Sequence, residues 1–212
     1  FNAVKEAVLN GEITKELLIE KVERINHAKQ KVKDKLEKLF TDTSYKINNL
    51  EHQLMEEIVD NSYTLIKGTA PIIQDKTLII SSNAKVASIV EDEFDDRNLT
   101  NALIHNFSNV RVIKFTKDES FIKDALDISK DYNNIIIYSY DAYNDNVQKE
   151  IINSLLKEDK DIYVVSIKGP IDRGYFKNLK NYACLYEYTP NSIKTIVKQL
   201  KGEIKLNGHL PE

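Results

Sequence analysis

Residues able to do chemistry are present in this chain, but they do not gather. The densest charge is Glu91-Asp-Glu-Phe-Asp-Asp96, with five carboxylates in six residues. Calcium takes several carboxylate oxygens, yet the turn glycine of a calcium loop is missing, and the run reads as a solvated acidic loop. The four histidines, His27, His52, His105 and His209, lack the paired spacing of metal ligands. Cys184 is the lone cysteine, which excludes an internal disulfide and a cysteine-based zinc site. Its place within an apolar run makes it a small buried hydrophobe. No metal is expected. A serine elbow of the Gly-x-Ser-x-Gly type does not occur. Nucleotide binding needs glycines where backbone meets phosphate, and the first apolar run is followed by Ser81-Ser-Asn-Ala-Lys-Val86, with none. Neither the dinucleotide fingerprint nor the P-loop is present, so no cofactor is expected. Ser81, Ser82 and Asn83 read as a helix N-cap rather than an anion cradle. A phospho-receiver site fails too. Asp141 suits its central aspartate, but Ser81-Ser82 and Glu187 stand where an acidic pair and a lysine are needed. Most of the eleven tyrosines fall in or beside apolar runs, where half-buried Tyr is ordinary.

The elements that must position such residues divide the chain in two. Residues 1–67 are helical in pattern and nearly free of Gly and Pro, with Gly11 separating a short opening helix from a long one. Thr14 is the expected cap of the long helix, with Glu16 in its positive first turn. Its stripe runs Leu18, Val22, Ile25, Val32, Leu36 and Leu39 at helical spacing. After a break at Thr41–Ser44, a second stripe runs Ile47, Leu50, Leu54, Ile58, Val59 and Leu65. From residue 68 to 212 the pattern changes. Short apolar runs at 77–81, 110–115, 134–139, 162–167 and 183–187 alternate with helical stretches near 84–91, 98–107, 118–130, 143–158 and 191–201. Runs apolar on consecutive residues imply strands buried on both faces. The alternation predicts an α/β fold, a three-layer αβα sandwich with a mostly parallel, flavodoxin-like sheet, preceded by a helical arm. Ligands on such sheets bind beyond the carboxyl ends of the strands. The places to inspect are therefore Ser81–Asn83, Thr116-Lys117, Tyr140–Tyr143, Lys168–Pro170 and Tyr188–Pro190. A net charge of -3 offers no basic surplus for nucleic acid. No run approaches the roughly 18 apolar residues of a membrane span.

Five phrases, in order over nearly the whole chain, resemble glycoside hydrolase family 3. Gly11-Glu-Ile-Thr-Lys-Glu-Leu-Leu-Ile-Glu-Lys-Val-Glu-Arg-Ile25 is similar to the closing helix of that family's barrel. Asp60-Asn-Ser-Tyr-Thr-Leu-Ile-Lys67 looks like the helix that enters its second domain. Tyr140-Asp-Ala-Tyr-Asn-Asp-Asn-Val-Gln148 resembles the "Y-N-A-x-x-N-x-x-Q" phrase of the β-N-acetylglucosaminidase branch, and Ser166-Ile-Lys-Gly-Pro-Ile-Asp172 resembles "x-x-R-N-P-Y-D". Tyr188-Thr-Pro190, Gly202-Glu-Ile204 and Gly208-His-Leu-Pro211 complete the series. The sequence departs from the branch at Asp141, where an Asn is usual, and at Lys168-Gly169, where Arg-Asn is usual.

The resemblance implies the carboxy-terminal domain of a β-N-acetylhexosaminidase-like glycosidase, with residues 1–67 as the end of a barrel plus linker helices. Its expected partners are the catalytic barrel and, in the full-length protein, an amino-sugar substrate. The barrel is expected to carry the nucleophilic aspartate and an Asp-His acid/base pair. Glycoside hydrolysis needs two suitably spaced groups flanking the bond. This chain offers no such pair, so no catalytic residue is expected in it and the chain alone should be inactive. Asp141, Lys168 and Asn83, each just past a strand, are the residues expected to border a substrate entrance. Pro170 should end its strand by fixing φ. A secreted or cell-wall-associated bacterial protein is favoured, with a cytoplasmic one as the alternative. Two other readings stay open: a free-standing flavodoxin-like ligand or sugar-binding module, and an interaction protein working through its helical arm.

Overall fold

The computed structural model of the chain describes residues 1–41, 49–82 and 99–210. Asn83, the helix expected near 84–91, the acidic run 91–96 and most of the Thr41–Ser44 break lie outside the described residues. Two compact units are present, Phe1–Asn48 and Asn49–Glu212.

The first unit holds helices α1 (Asn2–Leu9) and α2 (Lys15–Thr41). Gly11 turns the chain between them with φ +76°, a conformation that favours glycine. Thr14 caps α2, its hydroxyl oxygen accepting from the Leu17 amide at 3.2 Å. Val22, Ile25, Val32 and Leu36 of the predicted stripe are exposed.

The second unit begins with α3 (Asn49–Ser62) and strand β1 (Thr64–Lys67). There follow β2 (Thr77–Ser81), α4 (Leu99–Asn106), β3 (Val110–Lys114), α5 (Ser120–Ser129), β4 (Asn134–Ser139) and α6 (Asn146–Leu155). The chain closes with β5 (Asp161–Ser166), β6 (Asn181–Cys184) and α7 (Pro190–Leu200). The sheet order is β1-β6-β5-β4-β2-β3. Only β1 runs antiparallel, against β6; the other pairs are parallel. Counting the parallel strands alone, the order is the 2-1-3-4-5 of a flavodoxin-like sheet.

Strand pleating explains why consecutive apolar residues were needed. Leu78, Ile80, Ile135, Ile137, Ile162 and Val164 point to one core, which α5 and α6 cover with Ala125, Val147, Ile151, Ile152 and Leu155. Ile79, Ile136, Tyr138, Val165 and Ile167 point to the other, beneath Leu99 and Leu103 of α4 and Ile193, Ile196 and Leu200 of α7. The result is three layers.

The structure corrects the reading of residues 60–67 as one helix. Helix α3 stops at Ser62, whose hydroxyl turns back to the Val59 carbonyl at 2.9 Å. Thr64 and Leu65 then pair with Cys184 and Ala183 of β6. A Tyr-Thr-Leu-Ile run suits a pleated, half-buried surface better than a helix, and an open sheet edge supplies the partner. Helix α3 itself packs on α7 through polar groups. Asp60 receives the Lys198 ammonium at 2.7 Å and the Thr195 hydroxyl at 2.5 Å, and Glu56 pairs with Lys194. The sequence starts the sandwich after Lys67, whereas α3 and β1 lie with the second unit, joined to it by these side chains and the β1–β6 ladder. The last strand is also shifted, to Asn181–Cys184 from the expected 183–187.

Candidate functional site

Beyond Ser139 of β4 the chain gives Tyr140 and Asp141, then a 3-10 turn over Ala142–Asn144. Asp145 caps α6, its Oδ1 accepting from the Gln148 amide at 3.1 Å. Gln148 is buried and closes the loop from inside. Its Oε1 accepts from the Tyr140 amide at 3.1 Å, and its Nε2 donates to the Tyr140 carbonyl and to Asp145 Oδ2, both at 3.0 Å. The whole Tyr140–Gln148 phrase is thus one hydrogen-bonded corner. Asp141 sits at its tip with φ 48° and ψ 37°, the left-handed region that Asn and Asp enter more readily than other side chains.

Beyond Ser166 of β5 comes Ile167-Lys-Gly169, then a 3-10 turn over Pro170–Tyr175 with proline at its first position. Because Ser139 and Ser166 lie side by side in register, the two corners are neighbours. They bring Lys168 into an ion pair with Asp141. Both are partly open to solvent, so screening keeps the pair's contribution to stability small. The hydrogen bond and charge of Asp141 raise the Lys168 ammonium above its ordinary range. That ammonium also lies 5.4 Å from the Tyr140 ring centroid. Next to the pair, the Tyr143 and Tyr175 rings lie 6.1 Å apart at a 31° tilt.

One residue of this edge escapes a sequence reading. Asp172 is 2% exposed, beneath both corners. Its Oδ2 accepts from Ser139 Oγ and the Ala142 amide, each at 3.2 Å, and its Oδ1 accepts from the Tyr143 amide at 3.1 Å. Ser166 Oγ lies 3.3 Å from Oδ2, though its single proton has a shorter contact, 2.6 Å, with the Gly169 carbonyl. Donors from a strand end and from main-chain amides of the turn suit a buried carboxylate. The only local signal was the aspartate closing the Gly-Pro-Ile-Asp turn.

Of the three sequence candidates, Asp141 and Lys168 are brought together, and Asn83 is outside the described residues. Among the described residues no group of three or more His, Cys, Asp or Glu side chains is placed to hold a metal ion, and no helix is long and apolar enough to cross a membrane. Two cavities lie away from the pair. One of about 500 Å³ is lined by Glu56, Asp60, Lys198 and Lys205 among others. Another of about 750 Å³ is lined by Lys67, Leu156, Lys157 and Lys180 among others.

No protein-family model matches the chain, and no curated protein matches it by sequence. Solved structures do. A family 3 β-N-acetylglucosaminidase from Paenibacillus sp. str. FPU-7 matches over 99% of this chain with a TM-score of 0.73 and 22% identity. The fold is one found in glycoside hydrolase family 3. A fungal multi-domain family 3 β-N-acetylglucosaminidase matches over 99% of the chain at a TM-score of 0.66 and 19% identity. A β-glucosidase from Listeria innocua matches over 94% at 0.58 and 14%. The chain spans only 42%, 24% and 32% of these three proteins. At such identities the likeness to the family 3 enzymes is one of fold.

Proposed function

We propose that this chain is the non-catalytic carboxy-terminal part of a family 3 β-N-acetylhexosaminidase-like glycosidase. It packs on a catalytic barrel and borders the substrate entrance with the Asp141–Lys168 pair. In the parent protein, the barrel removes terminal N-acetylglucosamine from cell-wall-derived sugars with retention. The observation that carries this proposal is the coverage: 99% of the chain matches less than half of a β-N-acetylglucosaminidase.

Two features support it. Exposed apolar side chains stand on both units, Val22, Ile25 and Val32 on α2 and Leu50, Leu54 and Ile58 on α3, as expected of surfaces meant to be covered. Among the described residues, the carboxylates of the corners after β4 and β5 are also committed. Asp141 is neutralised by Lys168, and Asp172 is buried under hydrogen-bond donors. Neither is free to serve as the paired acid and nucleophile that a retaining glycosidase needs.

Calorimetric titration of the isolated chain with N-acetylglucosamine and its β-1,4-linked dimer separates this proposal from a free-standing sugar-binding module. A chain that only borders the entrance shows no saturable heat up to about 1 mM ligand, a range that reports only dissociation constants tighter than that. A one-to-one isotherm in the micromolar range would establish the module instead.

A further inference from the structure

We propose that Asp172 is the positioning residue of the carboxyl edge: it locks the corners after β4 and β5 into one frame, so that Asp141 and Lys168 are presented together. The geometry supports this without reference to any substrate. The importance of the pair for function rests on the border role proposed above.

Asp141 lies between two residues that Asp172 holds, Ser139 through its hydroxyl and Ala142 through its amide. Tyr143, the next residue, is held by the second carboxylate oxygen. Lys168 lies on the other corner, between Ser166, which contacts Asp172, and Asp172 itself. One buried carboxylate therefore touches chain on both sides of each member of the pair.

The opposite order of cause, in which the ion pair draws the corners together, fails on magnitude. Lys168 is 51% exposed, and a solvent-screened pair with a long, mobile lysine does not repay the cost of ordering two loops. It also cannot hold a non-glycine residue at φ 48°, a conformation that persists only where surroundings over-determine it. Hydrogen bonds from main-chain amides to a buried carboxylate are of the stronger, charge-assisted kind. The clamp is the cause and the pair its consequence.

The test is NMR titration of the chain with its lysine side chains labelled at Cε. In the native chain Lys168 is expected to titrate above the ordinary lysine range, and Asp141→Asn to remove that elevation directly. The near-isosteric Asp172→Asn, which brings an amide NH2 against the Ala142 or Tyr143 amide, is expected to remove as much of it as Asp141→Asn does. Ile196→Val, a change in the other core, beneath α7, leaves it intact, so loss of stability by itself does not imitate the effect. A folded Asp172→Asn chain whose Lys168 stays as elevated as in the native protein overturns the proposal.

Should that variant not fold, hydrogen exchange on the native chain decides. The Ala142 and Tyr143 amides are expected to exchange roughly 100-fold more slowly than an open loop, as locally closed structure does. Exchange at open-loop rates means that the clamp does not exist. Neither measurement involves a sugar or turnover, so the failure of the glycosidase proposal and the failure of this one are told apart.

Discussion

Asp172→Ala lowers the free energy of unfolding by roughly 3–5 kcal/mol, the cost of leaving several buried donors without an acceptor. The Ala142 and Tyr143 amides and the Ser139 hydroxyl all lose their partner at once. At 2% exposure, bulk water does not replace it, and an unpaired buried polar group costs close to its full desolvation. The loss is a large share of the 5–15 kcal/mol typical of a domain. Urea unfolding followed by circular dichroism reads it as a shift in midpoint at unchanged slope. Ser166→Ala should cost far less, because that hydroxyl already favours the Gly169 carbonyl. Equal losses for the two variants would show that the carboxylate is not the organising group.

Gly68→Ala is expected to cost about 2 kcal/mol or more, for backbone strain and close contact together. Gly68 follows β1 with φ +72°, where a Cβ is disfavoured. A Cβ there would also approach the Lys180 carbonyl oxygen to 2.4 Å and Asn181 Oδ1 to 2.3 Å. Asn181 is fixed in turn: its Oδ1 accepts from the Thr69 amide at 3.0 Å, and its Nδ2 donates to the Ile162 carbonyl at 3.2 Å. Neither neighbour can step aside cheaply, so the edge strand β1 should loosen from β6. Thermal unfolding measures the loss, and hydrogen exchange should find it concentrated in Thr64–Lys67. An unchanged midpoint would mean that β1 contributes little to the sheet.

Strands β2, β4 and β5 were legible because each is buried on both faces and so spells a continuous apolar run, as in Leu78-Ile-Ile80 or Ile135-Ile-Ile137. Strand β1 was not. Leu65 continues the helical spacing of Leu54 and Ile58, and what makes it a strand is pairing with Ala183, more than a hundred residues away. Long-range pairing of that kind overrides local preference. The site divides in the same way. Asp141 and Lys168 were visible singly as polar residues past strand ends, but their meeting depends on the β4–β5 register. Asp172 was visible only as the last residue of the Gly-Pro-Ile-Asp turn and its role was not, since its donors come from separate stretches of chain that only the fold brings together.

The most direct measurement is release of chromophore from a chromogenic β-N-acetylglucosaminide by the purified chain, at micromolar protein and over hours. The proposal predicts no release above the blank from this chain, whose Asp141 and Asp172 are both committed, and turnover by a protein that also carries the barrel. Sustained turnover that follows the chain through successive purification steps, and is lost in Asp141→Asn, would contradict the claim that catalysis belongs to a neighbouring barrel.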